Sequence, residues 1–423
     1  MFEILKKYNF WDGNVKGCGF LRKSYLKKLK ELDVTKTIIT ITGGRRVGKS
    51  FLVRQYIDFL INENKIKPKQ IFYANLFIRE LESLKDPKIF TEAIGLWKKK
   101  LKVEENLRKY IIIDEVQEIE KWEILINSLY EDFTTEYKVI ITGSNSKLLS
   151  GELSTYIAGR SFSLNVLPLS YQEYLDFTQK GISKETFIEY MKDGGMPEIV
   201  LAENSFAKNN LISTTIDSII MRDIVLRHDI RNISLLKKIV DYFCSSPSDE
   251  ISKNKVANIL KNTGLKSSIH TVSDYIEYLK ESFLIHSCPV FSYKKNDILK
   301  SVPEKVYLND HSFAMNNSGF KDLGKLLENI VYIELLRKGY KVQTLKIDDK
   351  EIDFIAEKET EKMYIQVAYT LGDKDSDTFK REFGNLLLIK DHFPKIVLTL
   401  DDILFAPVKG VEHLSIIDFL NCK

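Results

Sequence analysis

Gly43-Gly44-Arg45-Arg46-Val47-Gly48-Lys49-Ser50 stands between the apolar run Thr37-Ile38-Ile39-Thr40-Ile41-Thr42 and a helix-forming stretch that begins at Phe51. The spacing G-x-x-x-x-G-K-[ST] at a strand-to-helix junction predicts a phosphate-binding loop. Glycines let backbone N–H groups close around phosphate oxygens, a lysine reaches the outer phosphates, and a serine hydroxyl ligates Mg²⁺. On this reading Gly43, Gly44, Arg45, Arg46, Val47, Gly48, Lys49, Ser50 and Phe51 bind the nucleotide, and the expected cofactors are ATP and Mg²⁺.

Downstream, Tyr110-Ile111-Ile112-Ile113-Asp114-Glu115 supplies the complementary half: an apolar strand ending in two acids. Asp114 joins Ser50 in holding the Mg²⁺ shell, and Glu115 polarises the attacking water. A polar residue closing a further strand, Val139-Ile140-Ile141-Thr142, would sit between the acids and the terminal phosphate, so Ser144 or Asn145 is read as its sensor; either serves equally well as a helix N-cap. Gly159-Arg160 ends the next expected helix. Arg160 is read either as a residue that stabilises transition-state charge or as a helix cap. The catalytic set is therefore Lys49, Glu115, Asn145 and Arg160.

Around these motifs, short β-branched runs at 37–42, 71–76, 110–114, 138–142 and 162–167 alternate with charge-rich helical stretches, the pattern of a parallel sheet flanked by helices. The remainder divides into an α-helical lid at 171–235, interrupted at Gly194-Gly195-Met196-Pro197, then a winged-helix-like module at 236–300 and an α/β domain at 301–423, after an ATPase domain with an N-terminal extension at 1–170.

Composition narrows the class. With 423 residues, 44% hydrophobic and 29% charged, the chain is long enough for several packed domains and too apolar to be disordered. It contains no run of about 18 uncharged apolar residues, so a membrane span is not expected and the cytoplasm is the expected location. Cys18, Cys244, Cys288 and Cys422 are scattered, which argues against a structural zinc or a disulfide framework. The net charge of +4, from 63 basic and 59 acidic residues, leaves a nucleic-acid partner to be decided by local patches.

These motifs together resemble one family: the prokaryotic AAA-type ATPases that carry a C-terminal domain of unknown function. The resemblance covers nearly the whole chain, through residues 43–50, 111–117, 142–146, Ala158-Gly159-Arg160, 168–175, 194–198, 222–227 and 324–335. It implies a P-loop parallel sheet with a helical lid, an arginine finger at Arg160 presented to a neighbouring subunit, and a second sensor at Arg222, which reads equally as a helix salt bridge.

Two modules carry the open questions about partners. In the winged-helix-like part, Lys253, Lys255, Lys261 and Lys266 precede a helix with Ser267, Ser268, His270 and Thr271, types that contact phosphates and base edges, but Asp274, Glu277 and Glu281 on that helix repel a phosphate backbone. In the last domain, Glu328, Asp353 and Gln366-Val367-Ala368 resemble a restriction-endonuclease-like core in which glutamine replaces the second acid and Ala368 stands where a lysine belongs. The departure predicts a retained fold without efficient cleavage, with Lys374 and Lys380 as lysines able to take the vacant place. The function read from the sequence is a nucleotide-driven switch or motor acting on DNA or a protein partner, with a homo-oligomer as the other expected association. The alternatives are an ATP-controlled DNA-processing nuclease and a signalling ATPase with slow turnover.

Overall fold

The computed structural model describes residues 1–146, 159–262, 268–292, 303–316 and 320–421. Ala158, Lys266, Ser267 and Cys422, the helix expected before Gly159, and the side chains of Lys253 and Lys261 lie outside the described residues. The chain separates into two compact units, Met1–Val166 and Leu167–Lys423.

In the first unit, five parallel strands are ordered β2-β3-β4-β1-β5: β1 (Ile38–Thr42), β2 (Ile71–Asn75), β3 (Lys109–Asp114), β4 (Tyr137–Gly143) and β5 (Ser161–Asn165). Every residue of β1, β3 and β4 is buried, which is why these strands read as continuous β-branched runs and not as alternating ones. One face packs a core of Phe72, Ile111, Ile113, Val139 and Ile141 against Phe90 and Trp97 of α4 (Pro87–Leu101) and Trp122 and Ile126 of α5 (Trp122–Glu131). The N-terminal segment, α1 (Phe2–Tyr8) and the residues after it, closes the edge of β2. The Asn9 amide exchanges hydrogen bonds with the backbone of Tyr73 at 2.7 and 3.0 Å, and the Trp11 indole donates to the carbonyl of Ile71 at 2.7 Å. An exposed edge strand is a template for unwanted pairing, and side-chain amides satisfy it here.

The second unit holds an eight-stranded mixed sheet ordered β13-β12-β11-β10-β9-β7-β8-β6. Its strands are β6 (Asp249–Ile251), β7 (Ile285–Ser292), β8 (Glu304–Leu308), β9 (Lys341–Ile347), β10 (Lys350–Lys358), β11 (Glu361–Val367), β12 (Lys395–Thr399) and β13 (Val411–Ser415). The three helices Ile233–Ser245, Lys253–Asn262 and Ile269–Glu281 precede β7, as a winged helix requires, but the strands that follow are drawn into the larger sheet. β7 pairs with β8 on one side and, in parallel, with β9 on the other, so a single sheet runs across residue 300. The break at Gly194-Gly195 has a packing cause. A Cβ on Gly195 would lie 2.5 Å from the carbonyl oxygen of Leu169, and the Gly195 N–H donates to Asp310 at 2.7 Å.

Candidate functional site: a phosphate loop facing two acids

The loop between β1 and α3 (Lys49–Asn62) takes backbone conformations that its glycines permit. Gly43 has φ +142°, and a Cβ there would fall 2.2 Å from the carbonyl oxygen of Val166; Gly48, at the helix N-cap, has φ +99°. No side chain caps α3, so the N–H groups of its first turn are left for a ligand to satisfy. Lys49 is buried and donates to the carbonyl oxygens of Gly43 (2.9 Å) and Gly44 (3.0 Å), with its ammonium 3.9 Å from Glu115 Oε1. A flexible, multiply donating ammonium held by backbone carbonyls is poised to exchange them for phosphate oxygens. Arg45 lies over the Phe77 ring, Arg46 is exposed in the left-handed region at φ +65°, and Val47 is fully buried.

Across the loop, β3 delivers the acids. Asp114 is buried and accepts three hydrogen bonds: Thr142 Oγ1 at 2.5 Å on one oxygen, the Asn75 amide at 3.0 Å and the Tyr73 hydroxyl at 3.2 Å on the other. Glu115 follows in the left-handed region at φ +64°, a conformation that costs a non-glycine residue about 1–3 kcal/mol and that recurs at functional sites. Its N–H donates to Thr142 Oγ1 at 3.0 Å, so one hydroxyl ties the two acids together. The Gln117 amide donates to Glu115 Oε2 at 2.5 Å. Burial pushes the Glu115 carboxyl above the usual range, against the pull of the Lys49 ammonium, and the neighbouring Asp114 adds to the rise. Ser50 in the first turn of α3 and Asp114 offer hard oxygen donors, the chemistry that suits Mg²⁺.

Ser144 and Asn145 are both buried, just past the end of β4. Arg160 is held within its own unit: its guanidinium reaches Asn127 and Glu131 and lies over the Tyr130 ring, all on α5. Phe51 is exposed and packs near Gly19, with the Arg54 guanidinium over its ring. Arg222 is exposed within a π-helical turn, Ile219–Val225.

Sequence reasoning missed Thr142, Tyr73, Asn75, Gln117 and Arg22. Arg22 is buried and donates to the carbonyl oxygen of Val47 inside the phosphate loop at 3.1 Å, while the Gln55 amide of α3 binds the carbonyls of Cys18 and Phe20 at 2.7 Å each. A signal existed for Asn75 and Thr142: each is a polar residue closing an apolar strand, and the register partner of Asn75 in the sheet is Asp114.

In the second unit, Glu328, Asp353, Gln366 and Ala368 do come together, in the wall of a cleft of about 820 Å³. Of the two lysines expected here, Lys380 stands on the wall of this cleft with its ammonium donating to the Asp375 carbonyl at 2.6 Å, and Lys374 lies over the Phe405 ring; the lysine that meets the acids is Lys305 of β8, buried, donating to Glu328 (2.8 Å) and Glu351 (2.5 Å). Burial opposes the Lys305 charge, and Glu328, Asp353 and Glu351 override it, holding the ammonium above its ordinary range. The Gln366 carbonyl accepts from the Asp353 N–H at 2.7 Å and its amide donates to Glu382. A glutamine committed at both ends and a lysine spanning two carboxylates do not fit a metal-dependent hydrolytic centre, which needs carboxylate oxygens turned toward the cation. In the would-be DNA-reading helix Ile269–Glu281, the Ser268 hydroxyl is spent on capping, accepting from the Thr271 N–H at 3.0 Å.

A P-loop opening a helix after the interior strand β1, facing an acid pair that ends β3 in a sheet ordered β2-β3-β4-β1-β5, defines a nucleotide-binding ATPase core of the AAA type. Residues 35–175 match the family described as AAA domain, and residues 184–323 match a domain of unknown function. An uncharacterized protein of Haemophilus influenzae is 34% identical over 405 residues, covering 94% of this chain and 98% of the relative. Another, from Methanocaldococcus jannaschii, is 30% identical over 406 residues, covering 91% and 86%. The chain belongs to the family of AAA-type ATPases that includes these two proteins. Among solved structures, a Walker-type ATPase of Pyrococcus abyssi is similar with a TM-score of 0.46 at 17% identity, over 70% of this chain and 95% of that one. The Orc1 protein of Aeropyrum pernix, solved in complex with DNA, gives 0.35 at 12% identity, over 78% and 98%.

Proposed function

We propose that the chain binds ATP with Mg²⁺, hydrolyses it, and uses the cycle as a switch or motor acting on DNA or a protein partner. The observation that carries this reading is the lysine of the phosphate loop, Lys49, resting on loop carbonyls 3.9 Å from Glu115. Bound Mg²⁺, held by Ser50 and Asp114, would neutralise charge on the phosphates. Lys49 binds the outer phosphates, Glu115 takes up or polarises the proton of the attacking water, and Asn145 senses the terminal phosphate. Arg160 stabilises transition-state charge across an interface with a second copy once it leaves α5. A cytoplasmic location is in keeping with this role. Among the described residues no helix is long and apolar enough to cross a membrane.

The winged-helix-like part and the last sheet are proposed as the recognition half, with DNA or protein as the partner; the divisions near 170 and 235 are retained, whereas the one near 300 falls within a single sheet. Efficient nuclease action is not part of the proposal, because the Lys305 network already engages Glu328 and Glu351. Titration of a fluorescent ATP analogue together with phosphate-release kinetics tests the ATPase reading. Lys49→Ala should abolish tight binding, whereas Glu115→Gln should keep binding and lose about 10²–10⁴ in turnover. Normal turnover by the Glu115→Gln protein would remove the catalytic assignment.

A further inference from the structure

A cavity of about 570 Å³ opens in the first unit between the N-terminal segment, α3, the end of α4 and the edge strand β2, a volume within the roughly 300–1,000 Å³ range of ligand sites. Two ring pairs build its aromatic wall. Phe2 stacks on Trp11 at 5.6 Å and 19°, and Phe10 stacks on Tyr73 at 5.6 Å and 29°. Phe2, Phe10 and Trp11 are only half-buried, so ring surface remains for a ligand. Around them stand Lys6, Lys16, Lys100 and Arg54, the three lysines exposed, and Asp12 is the one acid on the described wall.

Interleaved rings and cations match a chain of unpaired nucleotides. Bases stack on aromatic faces for about 1–3 kcal/mol each, phosphates pair with lysine and arginine, and a duplex, whose base faces are already stacked, gains only the charge term. The cavity is also wired to the hydrolytic centre. Tyr73 and Asn75 line it, and both donate to the same oxygen of Asp114. We propose that this cavity binds single-stranded nucleic acid, bases against Phe10 and Trp11 and phosphates on Lys6, Lys16 and Lys100, and that occupancy is felt at Asp114 through Tyr73 and Asn75. Only the second half rests on the ATPase reading.

The binding half is tested on the full chain without nucleotide, by anisotropy of labelled oligothymidine and oligouridine. The two oligonucleotides separate DNA from RNA as the source. Trp11 gives an independent optical readout, because the other two tryptophans, Trp97 and Trp122, are 0% and 5% exposed: oligonucleotide should quench wild-type fluorescence and leave Trp11→Phe unquenched. Reversing the three exposed lysines together to glutamate should weaken binding at least about tenfold without harm to folding, and Phe10→Leu or Trp11→Leu by about 5- to 100-fold. Unchanged affinity in the triple variant would overturn the proposal. So would equal affinity for duplex, for heparin, which lacks bases, or for polyglutamate, which would make the cavity a docking site for an acidic protein. For the coupling, oligonucleotide should change the ATP turnover of the wild type, and a Tyr73→Phe, Asn75→Ala double variant, which loses both donors to Asp114, should lose that change while oligonucleotide still binds; a response kept in the double variant removes the link to Asp114. A protein that binds oligonucleotide but lacks ATPase activity would refute the ATPase reading and leave the binding site standing.

Discussion

Lys49 in the first unit and Lys305 in the second are both buried lysines facing carboxylates, yet they are held differently. Lys49 rests on two backbone carbonyls, and its carboxylate neighbour Glu115 lies 3.9 Å away, beyond hydrogen-bond reach. Lys305 donates directly to Glu328 and Glu351, and the Tyr307 hydroxyl donates to Glu328 as well, at 2.6 Å. Neutral carbonyls release an ammonium to an incoming phosphate at little electrostatic loss. Carboxylates that accept from it directly do not, since removing the cation leaves the buried Glu328 charge unmatched. The contrast teaches that a lysine among acids marks a reaction site when it is loosely engaged, and a structural tie when its charge is already matched.

The strongest test of the open site concerns what completes it. If Arg160 leaves α5 to act in a neighbouring copy, Arg160→Ala should lower turnover by about 10³–10⁵ with ATP affinity unchanged, and wild-type turnover per chain should rise with protein concentration. Concentration-independent turnover from a monomer would reduce Arg160 to a helix contact and leave the centre complete in one chain.

The closed network should reveal itself in stability. Lys305→Met strands the buried Glu328 and should destabilise the chain by about 3–5 kcal/mol in denaturant unfolding. Lys49→Met leaves two carbonyls without a donor and Glu115 without the cation at 3.9 Å; because no direct hydrogen bond to a carboxylate is broken the loss should be smaller, about 1–3 kcal/mol, while nucleotide binding is lost. Equal destabilisation by the two would break the comparison. A smaller pH effect probes the open site from within. Glu115 acts as a carboxylate and its pKa is raised, so turnover should fall on acidification at a pH above the ordinary glutamate value of about 4.3. The Gln117 amide favours the charged form, so Gln117→Ala should move that acid limb to higher pH by about half to one unit, read from kcat–pH profiles. A limb moved to lower pH would show that Gln117 does not hold the carboxylate. The smallest expected effect is none: with Mg²⁺ or Mn²⁺, Asp353→Ala and wild type should leave supercoiled and branched DNA equally intact. Metal-dependent cleavage lost in the mutant would reopen the second cluster as an enzyme.

The sequence by itself determined what depends on contiguous residues. The phosphate loop is a local object whose glycines, Lys49 and Ser50 act through backbone geometry set within eight positions, and the buried parallel strands announce themselves as unbroken β-branched runs. The acids at 114–115 were legible because they end such a strand. What only the tertiary structure decided depends on strand order and side-chain reach. Thr142, Tyr73 and Asn75 converge on Asp114 because β4 and β2 flank β3, a neighbourhood that no spacing along the chain encodes. Lys305 reached Glu328 and Glu351 from β8, across a sheet that joins residues on both sides of position 300. Periodicity reports the environment of each residue along its own element. Partners brought in from other elements are fixed by packing, and it is those partners that leave one lysine exchangeable and the other locked.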